Sequence, residues 1–205
     1  MDRNLKKWEL SLIFGILFAL VMGCWLREEQ QALGDRVIRL HVIANSDSPR
    51  DQAIKLAVRD RILAKAEVLY GSDATRSQAL EILARNLPEL EREGQLAAEE
   101  WGCDDPVSAR VEECWFPTKE YEEFALPAGE YTALRVVIGE GGGQNWWCVA
   151  FPPLCLGAAS ETVEQAVETG AFTEGQAALM TEESGGYVLK FKALELLGYL
   201  QRLFE

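Results

Sequence analysis

His41 is the only histidine among 205 residues. Paired-histidine mechanisms and histidine-clustered metal sites are thereby excluded, and a serine or cysteine nucleophile would have one candidate base. Asn45, Ser46 and Asp47 follow at the carboxyl end of a strand-like stretch, where active sites often form, and Asp47 could serve there as an acid or base. The competing role for the three is helix capping. Glu140 stands inside Gly139-Glu140-Gly141-Gly142-Gly143, which lacks the Lys-Ser/Thr ending of a phosphate cradle and leads into Trp146-Trp147, not a helix. A hydrolase acting on cell-wall material would use Asp47 or Glu140, but no second catalytic carboxylate stands at an informative spacing. Trp146 and Trp147, on consecutive strand positions, must point to opposite faces, which makes the pair a candidate anchor for a protein partner.

These residues need a scaffold and a compartment. Leu10 to Leu26 carries no charge, is preceded by Arg3, Lys6 and Lys7, and is followed by Arg27, Glu28 and Glu29. Its length lies where a secretory apolar region and a membrane span meet, so residues 10–26 are expected to be a signal peptide or signal-anchor helix, with residues 1–9 cytoplasmic. Val21-Met22-Gly23 before Cys24 also loosely imitates a lipid-attachment box. The formal charge of −13 would repel nucleic acid and anionic lipid. Outside the apolar segment stand Cys103, Cys114, Cys148 and Cys155, an even number in a chain expected to leave the reducing cytosol. Cys148 and Cys155 bracket Pro152-Pro153, whose restricted backbone favours their pairing; Cys103 with Cys114 is the second choice, and buried free thiols are the alternative.

Alternation over 36–44 describes a strand with both faces partly apolar, hence a central one. Ser48, Pro49 and Asp51 then start a helix striped by Ile54, Ala57, Val58, Ile62, Lys65 and Leu69 and stopped at Gly71. A second helical stretch opens near Thr75 and is interrupted at Pro88, where Asn86 could cap a continuation. Residues 107–116 and 131–138 read as antiparallel strands with a turn at Leu126-Pro127-Ala128-Gly129, and the glycine-rich stretch reads as a flexible hairpin turn into a strand over 145–151. The expectation is an α+β fold: a single domain over 36–155 with a mainly antiparallel sheet packed against helices. Residues 157–186 form an acidic, weakly patterned segment expected to be mobile, and 187–205 an amphipathic helix that should dock on the domain, the membrane or a partner.

The run Arg39-Leu40-His41-Val42-Ile43-Ala44-Asn45-Ser46-Asp47-Ser48-Pro49 resembles the opening block of the stage II sporulation protein R family. Asn86-Leu87-Pro88-Glu89, Phe116-Pro117-Thr118-Lys119, Leu126 to Tyr131, Ala133 to Gly141 and Asn145 to Cys155 resemble that family in order. Lys190 to Glu195 is similar to its terminal helix. The resemblance implies a developmental signal, made in the forespore and exported into the intermembrane space. Its partner would be a membrane-embedded aspartic protease of the mother cell, stage II sporulation protein GA, which processes pro-sigma-E. A messenger of this kind needs no catalytic residues, no cofactor and no small-molecule substrate. The partner-binding candidates within the matching motifs are His41, Asn45, Asp47, Trp146 and Trp147. A membrane-anchored envelope scaffold is the other binding-protein reading.

Overall fold

Residues 38–43 alternate around one pleat and form β1 (Ile38–Ile43), whose side chains are buried except at His41. Ser48 then caps α1 (Pro49–Tyr70), its side chain accepting from the Asp51 amide, and Gly71, at φ 69°, ends it. The Asp51 carboxylate accepts from the Ser46 hydroxyl instead of closing a capping box. Thr75 and Gln78 do close one, at the start of α2 (Arg76–Arg85). Asn86 terminates α2, its Nδ2 donating to Ile82 O at 2.7 Å, and makes no side-chain cap on α3 (Leu87–Glu99). Pro88 therefore separates two helices. Then follow β2 (Val107–Phe116), the short arm strands β3 (Lys119–Glu120) and β4 (Ala125–Leu126), and β5 (Gly129–Ile138) and β6 (Asn145–Phe151). The last described elements are α4 (Val163–Glu168) and α5 (Glu174–Thr181).

This computed structural model describes residues 6–15, 17–18, 32–121, 124–154 and 163–181. It forms two units, Met1–Leu33 and Gly34–Glu205. In the first, residues 6–15 and 17–18 are helical, with Leu10, Leu12, Ile13, Phe14, Leu17 and Phe18 exposed. No helix among the described residues is long and apolar enough to cross a membrane. Residue 16 and residues 19–26, with Cys24, lie outside the described residues, as do Cys155 and the helix expected over 187–205.

The second unit is α+β as expected, but its sheet is mixed, not mainly antiparallel. Strand order is β2-β5-β1-β6. β5 runs antiparallel to β2 along its whole length and parallel to β1, with Leu40 opposite Leu134 and Val42 opposite Val136. Helices α1 to α3 and β2 lie between β1 and β5; β2 runs opposite to β1, so the turn from β2 into β5 brings the chain beside β1 in the same direction, which a direct hairpin cannot do. The glycine-rich stretch is not a hairpin turn either. It crosses the end of β1, so β6 pairs antiparallel with β1, on the side away from β5. β1 is central, as expected of a strand whose two faces are both partly apolar.

One sheet face packs on the helices through Leu40, Val42, Leu134 and Val136 against Ile54, Val58 and Ile62. The buried face of α1 also includes Lys55, Leu63 and Ala66, about one position round from the expected stripe. Part of the acidic segment is structured as well: Val163, Ala166, Phe172 and Met180 of the α4–α5 region are buried.

Asn45 holds the crossing loop in place. Its Oδ1 accepts from the Glu140 amide at 3.0 Å and its Nδ2 donates to Asp105 Oδ2 at 3.0 Å. The Gly142 and Gly143 amides donate to Asn45 O and Ala44 O, and the Gln144 amide donates to Asp47 Oδ1 at 2.7 Å. Gly139 adopts φ 58°, and a Cβ at Gly143 would collide with the Ser46 carbonyl, so the path admits no side chain at either point. Asn45→Ala leaves the Glu140 amide and Asp105 without their partner and should lower unfolding free energy by about 1–3 kcal/mol in urea titrations, with the slope unchanged.

Candidate recognition face

The sheet face away from the helices carries the chemistry. Period-two alternation places Arg39 and His41 of β1, Arg110, Glu112 and Cys114 of β2, Arg135 of β5 and Trp147 of β6 on this side, and the registers set Arg135 and Trp147 on either side of His41. At one end the β3–β4 arm folds over Arg39, which is fully buried. Its Nε donates to Cys148 O at 3.0 Å and its Nη2 to the Tyr121 hydroxyl at 2.9 Å. The guanidinium lies 4.4 Å from the Phe116 ring centroid and 5.0 Å from that of Tyr131. No carboxylate pairs with it among the described residues. Aromatic faces take that role, and a desolvated contact of this type contributes about 2 kcal/mol. Burial pushes the Tyr131 hydroxyl up to about 12 and raises Tyr121 also, so both stay neutral hydrogen-bonding groups around the cation.

At the other end His41 is half-buried. Its Nε2 and Asn145 Oδ1 are 2.8 Å apart; because an amide oxygen only accepts, Nε2 carries the proton. The ring stacks on Trp147 with centroids 5.8 Å apart and meets Phe116 edge-on at 5.9 Å. Burial lowers its pKa below the usual histidine value; the Asn145 bond and Glu112 act in the raising direction and Arg135 in the lowering one. Arg135 Nη1 donates to Glu112 Oε1 at 2.8 Å, and Lys119 Nζ lies 4.5 Å from the Trp147 ring centroid.

The structure divides the residues singled out in the sequence. His41 and Trp147 share this face. Trp146, 38% exposed, lies on the opposite face with the Arg59 guanidinium 4.5 Å from its ring. Asn45 and Asp47 brace the crossing loop, and Glu140 is exposed within it. Buried Lys55 also supports that loop, its Nζ donating to Gln144 O at 3.1 Å; desolvation lowers its pKa while Asp47 acts in the raising direction. No group of His, Cys, Asp and Glu among the described residues could hold a metal ion. Cys148 is disulfide-bonded, whereas Cys103 and Cys114 are free thiols.

Residues 34–161 match the family model described as stage II sporulation protein R. The chain belongs to the stage II sporulation protein R family. It is 34% identical over 151 residues to stage II sporulation protein R of Bacillus subtilis (strain 168), covering 70% of this chain and 67% of the relative. No solved structure matches it. The match spans all six strands and the three helices between β1 and β2, so the face around Arg39 and His41 belongs to the stage II sporulation protein R domain itself.

Sequence reasoning passed over Arg39, Arg135 and Tyr121. The period-two pattern of β5, with Tyr131, Ala133 and Arg135 in step, would have placed Arg135 on the side opposite Leu134 and Val136, and the same rule applied to β1 sets Arg39 with His41. Tyr121, in contrast, lies in an irregular arm with no periodic signal.

In this stage II sporulation protein R domain, His41 should titrate below 6.5 by imidazole NMR. Arg135→Gln should raise that pKa and Asn145→Ala should lower it, following the directions of their contributions. Because the folded-state pKa lies below the unfolded one, the unfolded chain binds the proton first; stability present above about pH 6.5 is lost as pH falls from there through the folded pKa. For Cys114, burial and neighbouring Glu112 push the thiol up to about 11. Iodoacetamide at neutral to mildly alkaline pH should therefore alkylate it about a hundredfold more slowly than an unfolded-state cysteine, read by peptide mass spectrometry.

Proposed function

We propose that this protein is an exported sporulation signal: residues 10–26 deliver or anchor the folded domain beyond the forespore membrane, where it activates a membrane-embedded aspartic protease of the mother cell and so brings about processing of pro-sigma-E. The family match over residues 34–161 carries this reading, since it covers the folded domain rather than a short motif. The placement of Asp47 and Glu140 is consistent with a binding role, because Asp47 accepts the Gln144 amide and the Glu140 amide is held by Asn45; both residues belong to the loop brace.

Activation of this kind requires the domain to bind one state of the protease better than another. A hundredfold shift needs a difference of about 2.7 kcal/mol, within reach of a few well-desolvated aromatic and charged contacts. Co-expression of this chain, the protease and pro-sigma-E in a non-sporulating host tests the reading. Precursor cleavage should require both this chain and residues 10–26. Absence of cleavage when the chain is demonstrably exported would refute it.

A further inference from the structure

Among the described residues, four buried side-chain polar atoms have no hydrogen-bond partner: Arg39 Nη1, His41 Nδ1, Arg135 Nε and Trp147 Nε1. All four belong to the sheet face away from the helices, and three of the residues are direct neighbours, with His41 opposite Arg135 on one side and opposite Trp147 on the other. A buried donor left unpaired forfeits its hydration with nothing in return, and folded proteins rarely tolerate several together. Arg39, Arg135 and Trp147 present N–H groups and lack an acceptor. With Nε2 protonated toward Asn145, His41 Nδ1 becomes a fourth donor whenever the ring takes up a proton.

The charge on this face has the same sense. Arg39, Arg110 and Arg135 point from its strands and Lys119 stands over Trp147, against Glu112 as the carboxylate of the same strand positions, already committed to Arg135. A net positive face among the described residues, on a chain of charge −13, is a place where an acidic partner meets attraction instead of repulsion.

We propose that the His41 end of this face docks an acidic peptide segment of a partner protein, one side-chain carboxylate of which lies over His41 and accepts from Arg135 Nε–H and Trp147 Nε1–H. Lys119 yields its place above the Trp147 ring and pairs with the incoming carboxylate. Arg39, one strand step away beneath the arm, adds a fixed positive charge that the surrounding aromatic rings cannot neutralise. The site takes a carboxylate rather than a neutral acceptor because, among the described residues of these strand positions, the cations outnumber the carboxylate of Glu112. The groups facing His41 are Arg135, Glu112 and Phe116 on one side and Asn145, Trp147 and Lys119 on the other. A carboxylate arriving among them favours the imidazolium, so binding draws a proton onto His41 and strengthens as pH falls from the bound-state to the free-state His41 pKa, while the peptide carboxylates stay ionised.

The test uses the full chain, kept in a nonionic detergent, and no protease, so its outcome is separate from that of the co-expression experiment. The chain has six tryptophans; the indole N–H resonance of Trp147 is assigned by its disappearance in Trp147→Phe. Titration with a capped hexaglutamate peptide should shift that resonance saturably, raise the His41 pKa and weaken about tenfold in about 0.5 M salt. Capped hexaglutamine should leave the resonance in place. Arg135→Gln should weaken binding at least about tenfold, and Lys119→Gln, at a more accessible position, should weaken it less while leaving the fold intact. Three results would each overturn the proposal: no saturable shift, an equal shift with hexaglutamine, or an equal response to inorganic phosphate alone. Hexaglutamate binding unchanged in both Arg135→Gln and Lys119→Gln would also do so.

Discussion

The parallel pairing of β1 with β5 is the constraint from which the rest of the domain follows. Between β1 and β5 the chain passes through three helices, which cover one face of the sheet, and then through β2, whose antiparallel course returns it to the start of β5. With β5 occupying one edge of β1, β6 is left the other edge, and the loop between them must pass across the end of β1. Asn45 and Asp47 stand where it passes and hold the loop, just before Ser48 caps α1. Burial of β1 on both edges and both faces then puts Arg39 where no water reaches it, and the Phe116, Tyr121 and Tyr131 rings around it are a response to that placement.

Local features of the fold were legible in the sequence wherever the physics is local. Ser48 and Pro49 announce α1 and Gly71 ends it, Thr75 opens α2, Pro88 divides α2 from α3, and alternation marks all four long strands. What the residues did not disclose was which strands become neighbours. Turn-rich residues between β5 and β6 suggest a hairpin by proximity in sequence, but adjacency in the sheet is decided by where β1 can be covered on both edges, a long-range condition with no local mark. The mixed sheet and the loop crossing were missed together for this reason. Residues 163–181 were misread for a different one: the buried Val163, Ala166, Phe172 and Met180 that anchor α4 and α5 are too widely and irregularly spaced to show as a stripe.

The candidate site was half legible. Opposite orientation of Trp146 and Trp147 follows from strand geometry, and His41 was conspicuous as the one histidine. The polar residues at the end of β1 drew attention for chemistry, yet their hydrogen bonds are spent on loop amides, Asp105 and the first turn of α1. The charged residues that surround His41 come from strands adjacent only in space. Arg39 in particular reads in sequence as one polar position in an alternating strand, which is how a solvent-facing residue reads, and only the arm that closes over it makes it an interior cation. The family match extends over the same residues, so this arrangement lies within the matched domain and not in its flanking segments.

The loop brace has one more effect. A strand bordered by a glycine-rich connection is free, in principle, to slide along its neighbour, and a slip by one residue exchanges its two faces. Here Gly143 N–H is bonded to Ala44 O and Gln144 N–H to Asp47 Oδ1, immediately before β6 begins at Asn145. These two bonds act as a phase reference for the strand and agree with the burial of Cys148 and Ala150 in the core: both place Trp147 against His41 and Trp146 against Arg59.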